Sequence, residues 1–246
     1  MSCIFINSIP KSGTYRVASM LQHCGLHVTG LHISETQVWD YASTDIDTAR
    51  KNPDQALLPE RSPAWALRET AKTDAQVLVG HFGFSISNAR LLEPYTSVLL
   101  VRDLREVIVS WCRWQAFTGQ SPTLAAIEDP AEMVATLMRN SSMHVARIIL
   151  SLLPWYFYLP AAQVLRNETL REPEIIRQLL RVCGLAADSD QVAAVLQQVS
   201  QSNTLTRVPG RTELASCWSA SSERHFREHR LHEVNALLGY PRDWND

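Results

Sequence analysis

The sequence lacks the features of a secreted, disulfide-bonded or membrane-spanning protein. Its five cysteines are scattered and none lies at C-x-x-C spacing, which is typical of reduced thiols in the cytoplasm. No basic segment followed by a long apolar one is present near the start, so no signal peptide is evident. The most apolar segment, Leu150 to Leu159, is much shorter than the roughly 20 residues that span a bilayer. We therefore expect a soluble, cytoplasmic protein with no membrane span.

The sequence also lacks an excess of charge of either sign. The formal net charge is -2, and the isoelectric point is near 6.4. This balance argues against a nucleic-acid-binding protein that works through bulk positive charge. An anionic ligand would have to be met by a local cluster of basic groups.

Apolar runs that resemble buried strands alternate with helical patterns along the chain. The strand candidates are residues 4–6, 26–31, 76–81, 97–101 and 162–166. This alternation predicts one α/β domain over residues 1–246, with a central, mainly parallel β-sheet flanked by helices. Two segments rich in proline and in polar or small residues, about 40–63 and 119–131, are expected to be loops, the first of them a loop or a mobile flap. In such a fold, ligands bind outside the C-terminal ends of the strands.

The first strand candidate leads into a short loop and a helical pattern. The loop contains Pro10, Lys11, Ser12 and Gly13, and Thr14 follows them. A helix N-terminus favours anions because its first N–H groups have no helical acceptor and the peptide dipoles align there. Lys11 adds a positive charge, and the hydroxyls add donors. The alternative is an ordinary strand-to-helix turn, with Ser12 as a cap and Lys11 in solvent.

Two further strand ends carry candidate functional groups. Arg102 and Ser110 lie eight residues apart, across a strand end and the first turns of the next helix, where they can converge on one phosphate. His81 ends another strand, and its imidazole is suited to general-base chemistry. The alternatives are that Arg102 pairs with a carboxylate, that Ser110 is a buried helix serine, and that His81 is merely hydrogen-bonded.

In this order, the segments resemble the sulfotransferases that use 3′-phosphoadenosine-5′-phosphosulfate (PAPS). Ser8 to Thr14, S-I-P-K-S-G-T, is similar to the P-K-S-G-T phosphosulfate loop of that family. Leu99 to Trp111 resembles its V-R-[ND]-P-x-D-x-x-x-S segment, which binds the 3′-phosphate. Val164 to Leu170 resembles a later strand and acidic turn, R-Y-E-D-L. The paired cofactor motifs are specific, whereas either one alone would not be.

The resemblance implies a P-loop-NTPase-like sulfotransferase fold and the transfer of a sulfuryl group from PAPS to a hydroxyl or amine of a small-molecule acceptor. It assigns Lys11 to the leaving phosphate, His81 to the acceptor proton, and Ser110 with Arg102 to the 3′-phosphate. PAP, adenosine 3′,5′-bisphosphate, would be the product. No metal is expected, because lysine and the helix dipole supply the positive charge. The residues predicted to contact the cofactor are Pro10, Lys11, Ser12, Gly13, Thr14, Tyr15, Arg16, Arg102, Ser110, Gly210 and Arg211.

The sequence departs from the family pattern in three places. Tyr15-Arg16 replaces a common Thr-Trp, and Leu104 replaces a proline. The C-terminal R-K-G-x-x-G-D-W signature is poorly matched, so Gly210 with Arg211 is our choice for its 3′-phosphate contact and Arg207 the second choice. For the aromatic residue that stacks on adenine, Trp39 is the candidate.

Other possibilities remain open from the sequence. His225, His229 and His232 recur at helical spacing and could ligate a metal, but neighbouring arginines favour a solvated helix over about 223–238. A non-catalytic nucleotide-binding or scaffold protein of the same fold is one alternative, and an ATP-dependent phosphotransferase is another. The acceptor is expected to lie against the 40–63 and 119–131 loops and the C-terminal segment, but none of these has a readable motif. A homodimer is compatible with the sequence.

Overall fold

A computed structural model describes residues 2–73, 76–201 and 213–244 of the chain. Within these ranges six strands form one sheet in the order β3-β2-β4-β1-β5-β6. Neighbouring strands are parallel, except that β3 runs antiparallel to β2. The strands are β1 Cys3–Ser8, β2 His27–Ser34, β3 Val38–Asp40, β4 Gln76–His81, β5 Tyr95–Val101 and β6 Val164–Arg166.

Helices connect the parallel strands and cover both faces of the sheet. They are α1 Thr14–His23, α2 Ile46–Lys51, α3 Pro63–Thr70, α4 Ile86–Leu92, α5 Leu104–Phe117, α6 Pro122–Ala125, α7 Pro130–Leu152, α8 Pro154–Tyr158, α9 Pro173–Val182, α10 Ser189–Gln201, α11 Leu214–Cys217, α12 Ala220–Glu228 and α13 Leu231–Leu237. Short 3₁₀ turns lie at Pro53–Ala56, Ala161–Gln163 and Asn167–Thr169. The predicted α/β fold with a mainly parallel central sheet is confirmed.

The central strand β1 explains why this sequence makes a two-sided core. All six of its residues are buried, and successive side chains point to opposite faces. Phe5 packs with Leu99 in the cluster that contains α5 and α7. Ile4 and Ile6 pack with Val79 in the cluster that contains α1, α9 and α10. With helices on both faces, the strand ends remain as the place for a ligand.

The segment 40–63, expected to be a loop, contains regular structure. Asp45 caps α2 by accepting hydrogen bonds from the amides of Asp47 and Thr48, and a 3₁₀ turn follows. The segment 119–131 likewise contains the short helix α6. The expectation of loops was thus wrong in part, because capping and proline at the first helical position suffice to start short helices. Their assignment to the acceptor stays a prediction.

The single solvated helix expected over about 223–238 is two helices, so that prediction was wrong. Arg230 has a φ of 56°, in the left-handed region, and separates α12 from α13. Phe226 and Leu231 are fully buried, which gives each helix its own anchor in the core. The pair therefore folds back onto the domain and presents only one face to solvent.

The three histidines of this region do not converge on one point. His229 Nε2 lies 2.8 Å from Ser142 Oγ on α7, whereas His225 Nδ1 lies 2.8 Å from Glu228 on its own helix. Within 2–73, 76–201 and 213–244, no group of three or more His, Cys, Asp or Glu side chains is arranged to hold a metal ion. Across the same residues, no helix has the length and apolar character needed to cross a bilayer.

Candidate active site

The loop after β1 is a tight turn with two residues in the left-handed region. Lys11 has a φ of 67° and Gly13 a φ of 97°. The amide of Ser12 donates to the carbonyl of Ile9 at 3.1 Å, which closes the turn around the buried Pro10. Gly13 is the residue before α1 and caps it without any side-chain hydrogen bond. Ser12 is therefore not the cap, contrary to the simpler interpretation of this turn.

Ser12 instead leaves a polar atom unsatisfied at the start of α1. Its side chain is fully buried, and its Oγ has no hydrogen-bond partner among the residues that the structure describes. The amides that begin α1 have no acceptor within the helix, because the first turn of any helix lacks them. The predicted phosphate loop thus combines a buried, unsatisfied hydroxyl with a helix N-terminus.

Asn167 holds this loop through a contact from the end of β6. It follows β6, and its Nδ2 donates to the carbonyl of Ser12 at 3.0 Å. A Cβ at Gly13 would overlap Asn167 Nδ2, so only glycine permits this approach. Asn167 was not predicted as a site residue, although it lies in the Val164–Leu170 segment that resembles a family motif.

His81 is joined to the same loop through Ser8. Its Nδ1 lies 2.8 Å from the carbonyl of Ser8 and 3.1 Å from Ser8 Oγ. Because a carbonyl only accepts, Nδ1 carries the proton and Nε2 keeps its lone pair. Ser8 Oγ also shares a 2.5 Å hydrogen bond with Thr14 Oγ1. A continuous chain of contacts therefore runs from the start of α1 to the imidazole.

The environment keeps His81 neutral. Burial, together with the positive charge of Lys11, lowers its pKa to about 4, although the hydrogen bond to Ser8 opposes this effect. At neutral pH the imidazole is consequently unprotonated at Nε2, which is the state that a general base requires.

Asn7 fixes the ends of β1 and β4 relative to each other. Its Oδ1 accepts from the amides of Ser8 and Phe82, and its Nδ2 donates to the carbonyl of Phe82 at 2.9 Å. Trp155 Nε1 donates to that carbonyl as well. The sequence signal for Asn7 was a polar residue within an otherwise apolar, buried strand.

Arg102 links the two predicted cofactor motifs. Its Nη1 donates to the carbonyl of Lys11 at 3.2 Å, and its Nη2 pairs with Glu106 at 2.9 Å. Asp103 caps α5 by accepting a hydrogen bond from the amide of Arg105. Ser110 lies in the second turn of α5 and is half-buried, and among the described residues its hydroxyl has no side-chain partner. Arg102 therefore forms the carboxylate pair that the alternative interpretation predicts, and it contacts the loop as well.

Lys11 does not extend into solvent. Its Nζ lies over the ring of Trp114, 4.7 Å from the centroid. Burial and the charge of Arg102 lower the pKa of Lys11 to about 7. Trp114 was missed in the sequence, because nothing in a helical pattern reveals which aromatic faces a loop more than a hundred residues earlier.

Tyr15 and Arg16, which replace a common Thr-Trp pair, point to different surroundings. Tyr15 OH lies 2.8 Å from Nδ1 of the buried His32, whose ring meets that of His81 with centroids 4.8 Å apart. Burial raises the pKa of the Tyr15 phenol. Arg16 is half-buried, and its pKa is lowered by burial and by the charges of Arg171 and Arg102.

Trp39 contacts His32 edge-on, with centroids 5.6 Å apart, and its role in binding adenine stays a prediction. Gly210, Arg211 and the second choice Arg207 lie outside the described residues.

Comparison with known proteins agrees with this architecture. A crystal structure of the mouse sulfotransferase SULT7A1 complexed with PAP matches with a TM-score of 0.59. The match covers 97% of this chain and 87% of that one at 13% sequence identity, so it shows the fold. None of the curated proteins matches. The family model described as "Sulfotransferase domain" matches residues 2–230, nearly the whole chain. The protein therefore belongs to the sulfotransferase family, as its motifs predicted.

Proposed function

We propose that this protein transfers the sulfuryl group of PAPS to a hydroxyl or amine of a small-molecule acceptor. One observation carries the proposal: Arg102 contacts the carbonyl of Lys11, which brings together the two motifs that the family uses to bind PAPS. The PAP in the mouse sulfotransferase supports the choice of nucleotide.

The residues present fit a phosphate group. A buried hydroxyl without a hydrogen-bond partner costs about 1–3 kcal/mol, and a ligand oxygen at Ser12 Oγ would remove that cost. The first amides of α1 and its dipole favour the same anion. The amide of Ser12 already donates to Ile9, so we assign the main-chain contacts to Gly13, Thr14 and Tyr15.

For the rest of the nucleotide, we keep the predicted assignments. Arg102 and Ser110 are proposed to hold the 3′-phosphate, together with Gly210 and Arg211. Arg16 adds a half-buried cation near Arg102. These groups position the donor, and PAPS supplies the sulfuryl group and departs as PAP.

The catalytic roles follow from charge and protonation state. We assign the proton of the acceptor to Nε2 of His81, which is the free lone pair of a neutral imidazole. We assign to Lys11 the negative charge that develops on the leaving phosphate, where a positioned cation in a water-poor site is most effective. As in phosphoryl transfer, positioning and charge stabilisation would do most of the work. A cytoplasmic location and a homodimer stay predictions.

Thermal unfolding with PAP tests the cofactor. We expect PAP to raise the melting temperature of the wild type, and Lys11→Ala to remove most of that rise. Lys72→Ala is the matched control, because Lys72 is exposed and its ion pair in the described structure is with Glu69, near the end of α3. The absence of any shift with the wild type would contradict the assignment of PAPS.

Turnover is tested separately with labelled PAPS and a panel of phenols, alcohols and amines. Transfer to any acceptor supports the proposal. A PAP-induced thermal shift without transfer to the whole panel would favour the non-catalytic alternative.

A further inference from the structure

Lys11 and Trp114 form a cation–π pair at the candidate active site. The ammonium lies 4.7 Å from the ring centroid, within the range of such contacts. Trp114 is on α5, one helical turn after Ser110. The lysine belongs to a loop whose backbone is held by Arg102 and by Asn167, so both partners sit on fixed elements.

The polar edge of Trp114 does not explain how its ring is oriented. Its Nε1 is buried and finds no hydrogen-bond acceptor in the part of the chain that the structure describes. Because Nε1 has no acceptor there, no hydrogen bond fixes the orientation of the ring, and the unsatisfied donor is unfavourable. The face of the ring, in contrast, contacts the ammonium of Lys11.

The charges around Lys11 oppose its protonation. Arg102 at the end of β5 faces it and lowers its pKa, and His81 at the end of β4 is close enough to feel its charge. Arg16 on α1 adds a further cation beside Arg102. Arg102 itself pairs with Glu106. An aromatic face attracts a cation without adding a proton acceptor, so it favours the protonated form of Lys11 against this lowering of its pKa.

We propose that Trp114 is a positioning residue, whose indole face holds the ammonium of Lys11 charged at the reacting edge before the anionic co-substrate binds. The catalytic value of a charged Lys11 rests on the proposed function, since only a charged Lys11 can stabilise a leaving phosphate. The contact itself is a property of the nucleotide-free protein and can be tested without turnover.

The sequence permits a direct measurement, because it has three lysines, Lys11, Lys51 and Lys72. Trace acetylation with acetic anhydride over a pH series, read by peptide mass spectrometry, gives the pH at which each amine becomes reactive. In the wild type we expect a midpoint near 7 for Lys11. The exposed Lys51 and Lys72 serve as internal standards and as a check that each variant is folded and labelled normally.

Removal of the aromatic face should make Lys11 lose its proton more easily. We expect Trp114→Leu, which keeps apolar bulk, to lower the Lys11 midpoint by about 0.5–1 pH unit. Trp114→Phe keeps a ring and should give a smaller shift. Trp111→Leu, one turn earlier and packed near His144, is the matched control and should leave the midpoint unchanged.

The outcomes separate this proposal from the proposed function. An unchanged or raised midpoint in Trp114→Leu would overturn the positioning role, because the ring would then contribute only desolvation. An equal shift in Trp111→Leu would overturn it too. PAP should raise the Lys11 midpoint of the wild type. If it does not, while the Trp114 variants shift as expected, the assignment of PAPS fails and the positioning role stands.

Discussion

The guanidinium of Arg102 donates to the main-chain carbonyl of Lys11 at 3.2 Å, across 91 residues of sequence. A side chain from the second motif therefore fixes the backbone of the first. The contact also explains how a chain of net charge -2 gathers positive potential, since Arg102 and Lys11 are held together at one edge of the sheet.

Arg102→Ala should weaken PAP binding by about 10–100-fold, as expected for the loss of charge-assisted hydrogen bonds. Calorimetric titration measures this. Arg139→Ala is the control, because Arg139 forms an exposed pair with Glu132, away from the candidate site. Equal affinities of Arg102→Ala and the wild type would show that the 3′-phosphate is bound elsewhere.

His81→Asn should lose about 10²-fold or more in kcat and retain PAP binding. The asparagine amide can still donate toward the carbonyl of Ser8, but it offers no lone pair that takes a proton. Single-turnover kinetics with a reactive acceptor measures the loss. Turnover near the wild-type level would assign the base to another residue.

The two limbs of the pH profile of kcat/KM should lie at lower pH than the ordinary pKa values of histidine and lysine. In the proposed mechanism, activity requires neutral His81 and charged Lys11, whose pKa values in the free protein are about 4 and about 7. The rate should therefore fall below about pH 4 and above about pH 7, since kcat/KM reports the free enzyme. An acidic limb near 6.5 would contradict the burial of His81.

Lys11 also makes stability depend on pH. Its pKa is lowered from 10.5 to about 7 on folding, so between these values the unfolded chain binds more protons and stability rises with pH. Lys11→Met should remove this rise and melt at a higher temperature at pH 7. In a chain of this size, each kcal/mol of stabilisation raises the melting temperature by about 2–4 °C. Parallel melting curves from pH 7 to 10 make the comparison. Identical slopes for both proteins would show that the amine is hydrated.

Gly13→Ala should abolish PAP binding and lower stability. The new Cβ would overlap Asn167 Nδ2, in addition to the strain of a φ of 97°. Gly119→Ala is the control, since Gly119 has a φ of 72° and open space around it, so it shares only the strain. If both variants lose the same amount of stability and bind PAP equally well, Asn167 does not hold the loop.

Much of the fold was predictable from local pattern. The run Gln76–His81 was predicted as a strand with these bounds, because a short, mostly apolar run is typical of a strand in a sheet covered on both faces. The three-residue strand β3 was not predicted, since so short a segment carries no periodicity. The break at Arg230 was also missed, because arginine gives no sign of a left-handed conformation.

The candidate site also has features that the sequence predicted and features that it did not. The sequence by itself determined the family, because its two cofactor motifs have particular residue types at fixed offsets from strand ends. It also predicted Lys11, His81 and Arg102 as the functional residues. Only the tertiary structure decided that Trp114 lies against Lys11 and that Asn167 holds the loop. Such contacts join residues more than a hundred positions apart. They depend on how helices pack over the sheet, which leaves no local pattern to read.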